Sequence, residues 1–139
     1  MTVKLASLKA DLDREEKGDW IDYPEWPGVT FNVSSLHIEA FQTARDLLFQ
    51  RLAKQFKGRK VPQKVINAEM GKLYAGHILH NWRGLDVDYS AEAALTILSD
   101  PEYRNVVAAI EHCAGMVSAV DVEFVEEDVK NSAKPSARA

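Results

Sequence analysis

A small, mainly α-helical domain of about four helices with a short N-terminal β-hairpin is the fold class this sequence predicts. Three observations carry that expectation. Apolar residues recur at helical spacing along 41–56, 66–82 and 103–117. Ser90 and Asp100 each stand where a helix would begin, with an acidic residue two places on. Val29, Phe31 and Val33 alternate with Thr30 and Asn32, the period of a half-buried strand.

Leu5, Leu8 and Leu12 recur at helical spacing in a charged background, so residues 1–18 are expected to form an amphipathic arm. Gly18-Asp19 breaks that pattern. The next segment carries Trp20, Tyr23, Pro24, Trp26, Pro27 and Gly28, and residues 20–23 and 29–33 are read as a hairpin joined by the prolines and Gly28. A two-stranded hairpin is marginal alone in water, so its aromatic face must rest on the helices. Ser34 or Ser35 is expected to cap a helix running to about Lys57-Gly58, with Phe41, Ala44, Leu48, Leu52 and Phe56 as its apolar stripe.

Pro62 then opens a second long helix expected to reach Trp82, with Ile66, Met70, Leu73 and His77 on one stripe and Tyr74, Ile78 and Trp82 beside it. Gly71 and Gly76 each weaken such a helix by about 1 kcal/mol relative to alanine, which close packing against a neighbour would offset. Gly84 reads as the left-handed residue just past its end. The third helix, 91–98, turns Ala94, Leu95 and Leu98 inward. The fourth starts at Asp100-Pro101-Glu102, where proline's missing N–H is harmless, and offers Tyr103, Val106, Ile110, Cys113 and Val117 to the core. The helical domain is thus expected over 19–120, with 121–139 as an acidic tail.

With 139 residues, 46% of them apolar and 27% charged, the chain has the composition of one globular domain. No apolar run approaches the roughly 20 residues of a membrane span. The charged start supplies no signal-peptide core, and a single cysteine suits a reducing compartment, so the expected location is the cytoplasm, without membrane.

Chemistry is sought with little result. His77 and His80, with Asp86 and Asp88, could in principle ligate a metal, but His77 falls on the apolar stripe and His80 beside a helix end that favours a cation. His112 and Cys113 are adjacent on a helix and point about 100° apart, so they cannot form a thiolate–imidazole pair. His37 and Glu39 stand near a helix start, where a carboxylate simply complements the dipole. Phosphate loop, nucleophile elbow and paired-cysteine motifs are missing. The expectation is a binding protein, not an enzyme, with no cofactor.

Charge is unevenly placed. Arg51, Lys54, Lys57, Arg59, Lys60 and Lys64 form a basic run, while Asp121, Glu123, Glu126, Glu127 and Asp128 lie within eight residues. A net charge of −4 and the lack of interleaved aromatics argue against nucleic acid. Arg59 and Lys60, and Phe124, Val125, Glu126 and Glu127, are therefore the candidate partner-binding residues, and the opposite blocks suggest contact between copies.

The stretch 76–107 resembles the tail assembly chaperones of long-tailed (siphovirus-type) bacteriophages and prophages. Ile78, Leu79, Trp82, Gly84, Leu85, Tyr89, Ser90, Glu92, Ala93, Ala94, Leu95, Leu98, Ser99, Asp100, Pro101 and Tyr103 carry the likeness, and GDWIDYPEWPGVTFNV resembles the opening segment of that group. The loop LDVDY after Trp82 departs from it in having little glycine or proline. The resemblance implies a chaperone that binds the tape measure protein, keeps it soluble, helps recruit the tail tube protein, and has a longer frameshifted form. Two alternatives stay open: a structural virion or head–tail joining component, and a nucleic-acid-associated phage regulator.

Overall fold

The computed structural model describes residues 1–125. They fall into two compact units, one of residues 12–118 and one of residues 1–11 with those from 119 onward.

The larger unit runs α1 (Leu12–Lys17), β1 (Asp19–Asp22), β2 (Thr30–Val33), α2 (Glu39–Gln55), α3 (Gln63–Leu73), a π-helical turn (Tyr74–Ile78), β3 (Leu79–Arg83), α4 (Ala91–Leu98), a 3-10 turn (Pro101–Tyr103) and α5 (Arg104–Val117). It is mainly α, with five α-helices and one antiparallel sheet of order β1-β2-β3. Asp19 lies opposite Val33 and Asp22 opposite Thr30, while Thr30 faces Arg83 and Phe31 faces Trp82.

The second long helix does not reach Trp82. It ends at Leu73, widens into a π turn, and continues as the third strand. The register explains the misleading spacing. Asn32 pairs with Asn81 but Val33 pairs with Leu79, so His80 is an extra residue bulged out of β3. The bulge puts Leu79 and Trp82, both buried, three residues apart instead of two or four. Together with Tyr74 and Ile78 they reproduce a helical period without a helix.

The inner face of the sheet, with Phe31, Val33, Leu79 and Trp82, joins Ile110, Cys113, Ala114 and Val117 of α5 in one buried core. Both edge strands protect themselves locally. On β1 the Trp20 N–H donates to Asp19 Oδ1, and on β3 the Trp82 N–H donates to Asn81 Oδ1, each at 2.8 Å. An outward amide satisfied by its neighbour's side chain is a poor template for a further strand.

Ser90 accepts from the Ala93 N–H and Asp100 from the Glu102 N–H, both at 2.9 Å, so these two caps form as their sequence implies. Ser34 and Ser35 do not cap α2, whose N-cap is Ile38. Both serines are fully enclosed. The Ser34 N–H donates to Ile78 O and the Ser35 N–H to Glu15 O, tying the end of β2 to its neighbours. Leu95 and Tyr103, expected inside, are each 46% exposed, whereas Ala94 and Leu98 are buried. A 3-10 turn at 101–103 has three residues per turn, so Tyr103 falls out of phase with α5.

The smaller unit pairs the two ends of the described chain. Val3 bridges Phe124 antiparallel, the Lys4 N–H donates to Glu123 O, and the Val125 N–H donates to Thr2 O, both at 2.8 Å. Leu5–Leu8 form a 3-10 turn, and Ser7 Oγ accepts from the Glu123 N–H. None of its described residues is buried.

Candidate functional site

A groove of about 610 Å³ lies between α3 and the junction of α4 with α5. Its position follows from Gly71. A Cβ there would lie 1.8 Å from the Leu98 carbonyl oxygen, so α3 meets the end of α4 backbone to backbone. From that close approach α3 and α5 line opposite walls. Ile66 and Met70 of α3, Leu98 of α4 and Val107 of α5 supply an apolar lining. Lys64 and Arg104 bring positive charge to it, Asp100 and Glu111 negative charge. The Tyr74 hydroxyl donates to Glu111 Oε2 at 2.7 Å and holds that carboxylate in place. Burial, with the Glu111 carboxylate as acceptor, pushes the Tyr74 pKa well above its ordinary value, so the phenol stays a donor.

None of the described candidate partner-binding residues lines this groove. Arg59 and Lys60 are exposed in the loop between α2 and α3. Phe124 is 41% exposed and Val125 half-buried in the smaller unit, while Glu126 and Glu127 lie outside the described residues. Within the basic run, Arg51 reaches Glu69 Oε1 at 3.5 Å. Among the described residues, Lys54, Lys57, Arg59, Lys60 and Lys64 show no ion pair.

Among the described residues no group of three or more His, Cys, Asp or Glu is placed to share a metal ion. His77 sits in the π turn, His80 on the bulge of β3, and Asp86 and Asp88 in the loop that follows β3. Cys113 is wholly buried, and burial pushes its thiol up to about 11. His112 turns away from it, its ring edge-on to Tyr23 at 5.6 Å.

One pair escaped the sequence reading because its members are 46 positions apart. Ser34 Oγ lies 2.6 Å from His80 Nε2 and 3.1 Å from the carbonyl of Glu16. A serine beside an imidazole is the start of a nucleophile–base arrangement, yet Ser34 has no accessible surface for a substrate to reach. The pair instead ties the bulge to the end of β2 and to α1. Burial lowers the His80 pKa from its ordinary 6.5. Protonation therefore favours the unfolded chain, and this contribution to stability is complete above about pH 6.5 and is lost as pH falls toward the folded value. Thermal unfolding is expected to show a Tm that declines below pH 6.5, with a shallower decline in His80→Gln; identical slopes would remove His80 as the cause.

A model of the YdaY prophage protein family matches residues 36–131, most of the chain. The chain belongs to that family. Comparison with curated proteins and with solved structures gives no match. In this YdaY-family protein the matched span takes in α2 through α5, and with them every residue of the groove, but begins after β1 and β2. Ser34 falls outside it and His80 inside. Among the described residues no helix is long and apolar enough to cross a membrane.

Proposed function

We propose that this prophage protein is a tail assembly chaperone, which binds the tape measure protein, keeps it soluble and helps recruit tail tube subunits. The observation that carries the reading is the groove between α3 and α5. Its apolar lining suits the apolar stripe of an amphipathic helix, whose anchors at i, i+3 or i+4 and i+7 would meet Ile66, Met70 and Val107 in turn. Lys64 and Arg104 on one side of the charge balance, with Asp100 and Glu111 on the other, accommodate flanking residues of either sign. Such a site serves many similar segments of one long client instead of a single sequence. Modest contacts repeated along one chain hold it reversibly, as a factor that must later leave requires. The likeness of the stretch from Ile78 to Tyr103 to tail assembly chaperones and the prophage family support the same reading.

The test is co-expression with the tape measure protein encoded beside it. The wild-type chain is expected to raise the client's soluble yield and to co-purify with it in several copies. Ala68→Arg, which places a long cation in the groove from a half-buried helical position, is expected to weaken co-purification about tenfold, a loss of about 1.4 kcal/mol, without changing Tm. Rescue undiminished by Ala68→Arg would move the client off the groove. No rescue by the wild type, with the chain instead retained in finished particles by mass spectrometry, would make it a structural virion component.

A further inference from the structure

We infer that the solvent face of α2, with the basic turn that follows it, receives the acidic and apolar segment 121–128 of a second copy of this chain, so that copies associate head to tail. The proposal stands whatever fills the groove between α3 and α5.

The receiving face is unusual for an exposed helix. Leu47, 59% exposed, shares a shallow depression of about 300 Å³ with Gln50, Arg51 and Lys54. Residues at i, i+4 and i+7 lie on one side of a helix, so Leu47, Arg51 and Lys54 form a single stripe. Beyond it the chain turns through Lys57 and Gly58, both with positive φ, which brings Arg59 and Lys60 onto the exposed loop. Lys57, Arg59 and Lys60, like Lys54, have no acidic partner among the described residues. An exposed leucine beside Arg51, which Glu69 engages, and beside four cations with no acidic partner among the described residues selects an apolar side chain flanked by carboxylates.

Segment 121–128 has that composition. Val122 and Phe124 alternate with Asp121 and Glu123, and Glu126, Glu127 and Asp128 follow. Val122 is 48% and Phe124 41% exposed although the backbone at Phe124 is already paired with Val3. The segment therefore presents apolar side chains at Val122 and Phe124 that remain exposed. Single exposed ion pairs contribute little, but five acids against five cations around an apolar contact act as a network. Because the two surfaces are different patches, each copy keeps one free after pairing, and the contact is heterologous.

Sedimentation velocity of the full chain at rising concentration tests this. Association is expected in about 0.1 M NaCl and at least tenfold weaker in about 1 M, where the screening length falls from about 10 Å to about 3 Å. A face variant (Lys54→Glu, Lys57→Glu, Lys60→Glu) and a segment variant (Glu123→Lys, Glu126→Lys, Glu127→Lys) are each expected to be monomeric alone and to associate when mixed. Leu47→Asp is an independent arm at a position that folding leaves exposed, and it too is expected to abolish association. A wild type that stays monomeric at every concentration would overturn the proposal, as would association indifferent to salt or to Leu47→Asp, or a folded mixture that does not associate.

Discussion

Gly71→Ala is expected to destabilise the larger unit by about 3 kcal/mol, lowering Tm by about 10 °C. Two effects oppose each other. Alanine would raise the intrinsic helix propensity of α3 by about 1 kcal/mol. The added methyl, however, would sit 1.8 Å from the Leu98 carbonyl oxygen and 2.6 Å from its carbon, which are backbone atoms at the end of α4 and cannot rotate away. The clash dominates, and α3 and α4 must separate. Since Leu98 lines the groove, the same substitution is expected to weaken client capture even where the protein remains folded. Gly76→Ala is the control, because nothing lies within 4 Å of its added carbon. Urea denaturation of both variants checks the expectation, and a Gly71→Ala protein within about 1 kcal/mol of wild type would contradict the close approach of the helices.

Trp82→Ala is expected to cost about 4 kcal/mol, in the upper range for deleting a buried aromatic. Trp82 is 5% exposed, opposite Phe31 in the sheet, and edge-on to Tyr89 at 5.1 Å. Its Nε1–H donates to Val87 O at 2.7 Å and closes the loop between β3 and α4. Trp82→Phe separates the two contributions. It keeps most of the packing but leaves the Val87 carbonyl without this donor, at a cost of about 2 kcal/mol. Chemical denaturation followed by far-UV circular dichroism measures both variants. Equal losses would assign the whole effect to the hydrogen bond.

Local chemistry was readable wherever it decides structure locally. Ser90 and Asp100-Pro101 announce their helix starts because a cap is a contact between near neighbours. Phe41, Leu48 and Leu52 on α2, and Ile110, Cys113 and Val117 on α5, are buried as their periodicity implies. Close packing at Gly71 was also foreseeable, since a glycine inside a helix needs a compensating reason; at Gly76 the same argument finds no neighbour. Gly84 is left-handed, at φ +90°, as its sequence context implies, but the element before it is not a helix. It follows a strand, and its Cβ would meet the Gly28 carbonyl at 2.2 Å.

Residues 74–83 show where periodicity misleads. Tyr74, Ile78, Leu79 and Trp82 are all buried, and their spacing is the same whether one helix continues or a π turn feeds a bulged strand. What decides is the free edge of β2, opposite β1, which needs a partner for its amides and carbonyls. Neither the groove nor the Ser34–His80 pair could be read for a related reason. Ile66 and Met70 belong to a stripe that looked like core, and only the separation of α3 from α5 leaves them half open.

By itself, then, the sequence determined a mainly helical chain with caps at Ser90 and Asp100, an aromatic strand segment near its start, and a charge distribution divided between residues 51–64 and 121–128. These are properties of near neighbours and of composition. Tertiary structure alone decided that Leu79–Arg83 is a strand, that His80 is bulged onto Ser34, and that α3, α4 and α5 enclose a groove. Each depends on a partner far along the chain, and a hydrogen bond or a packed face exists only once both sides have met.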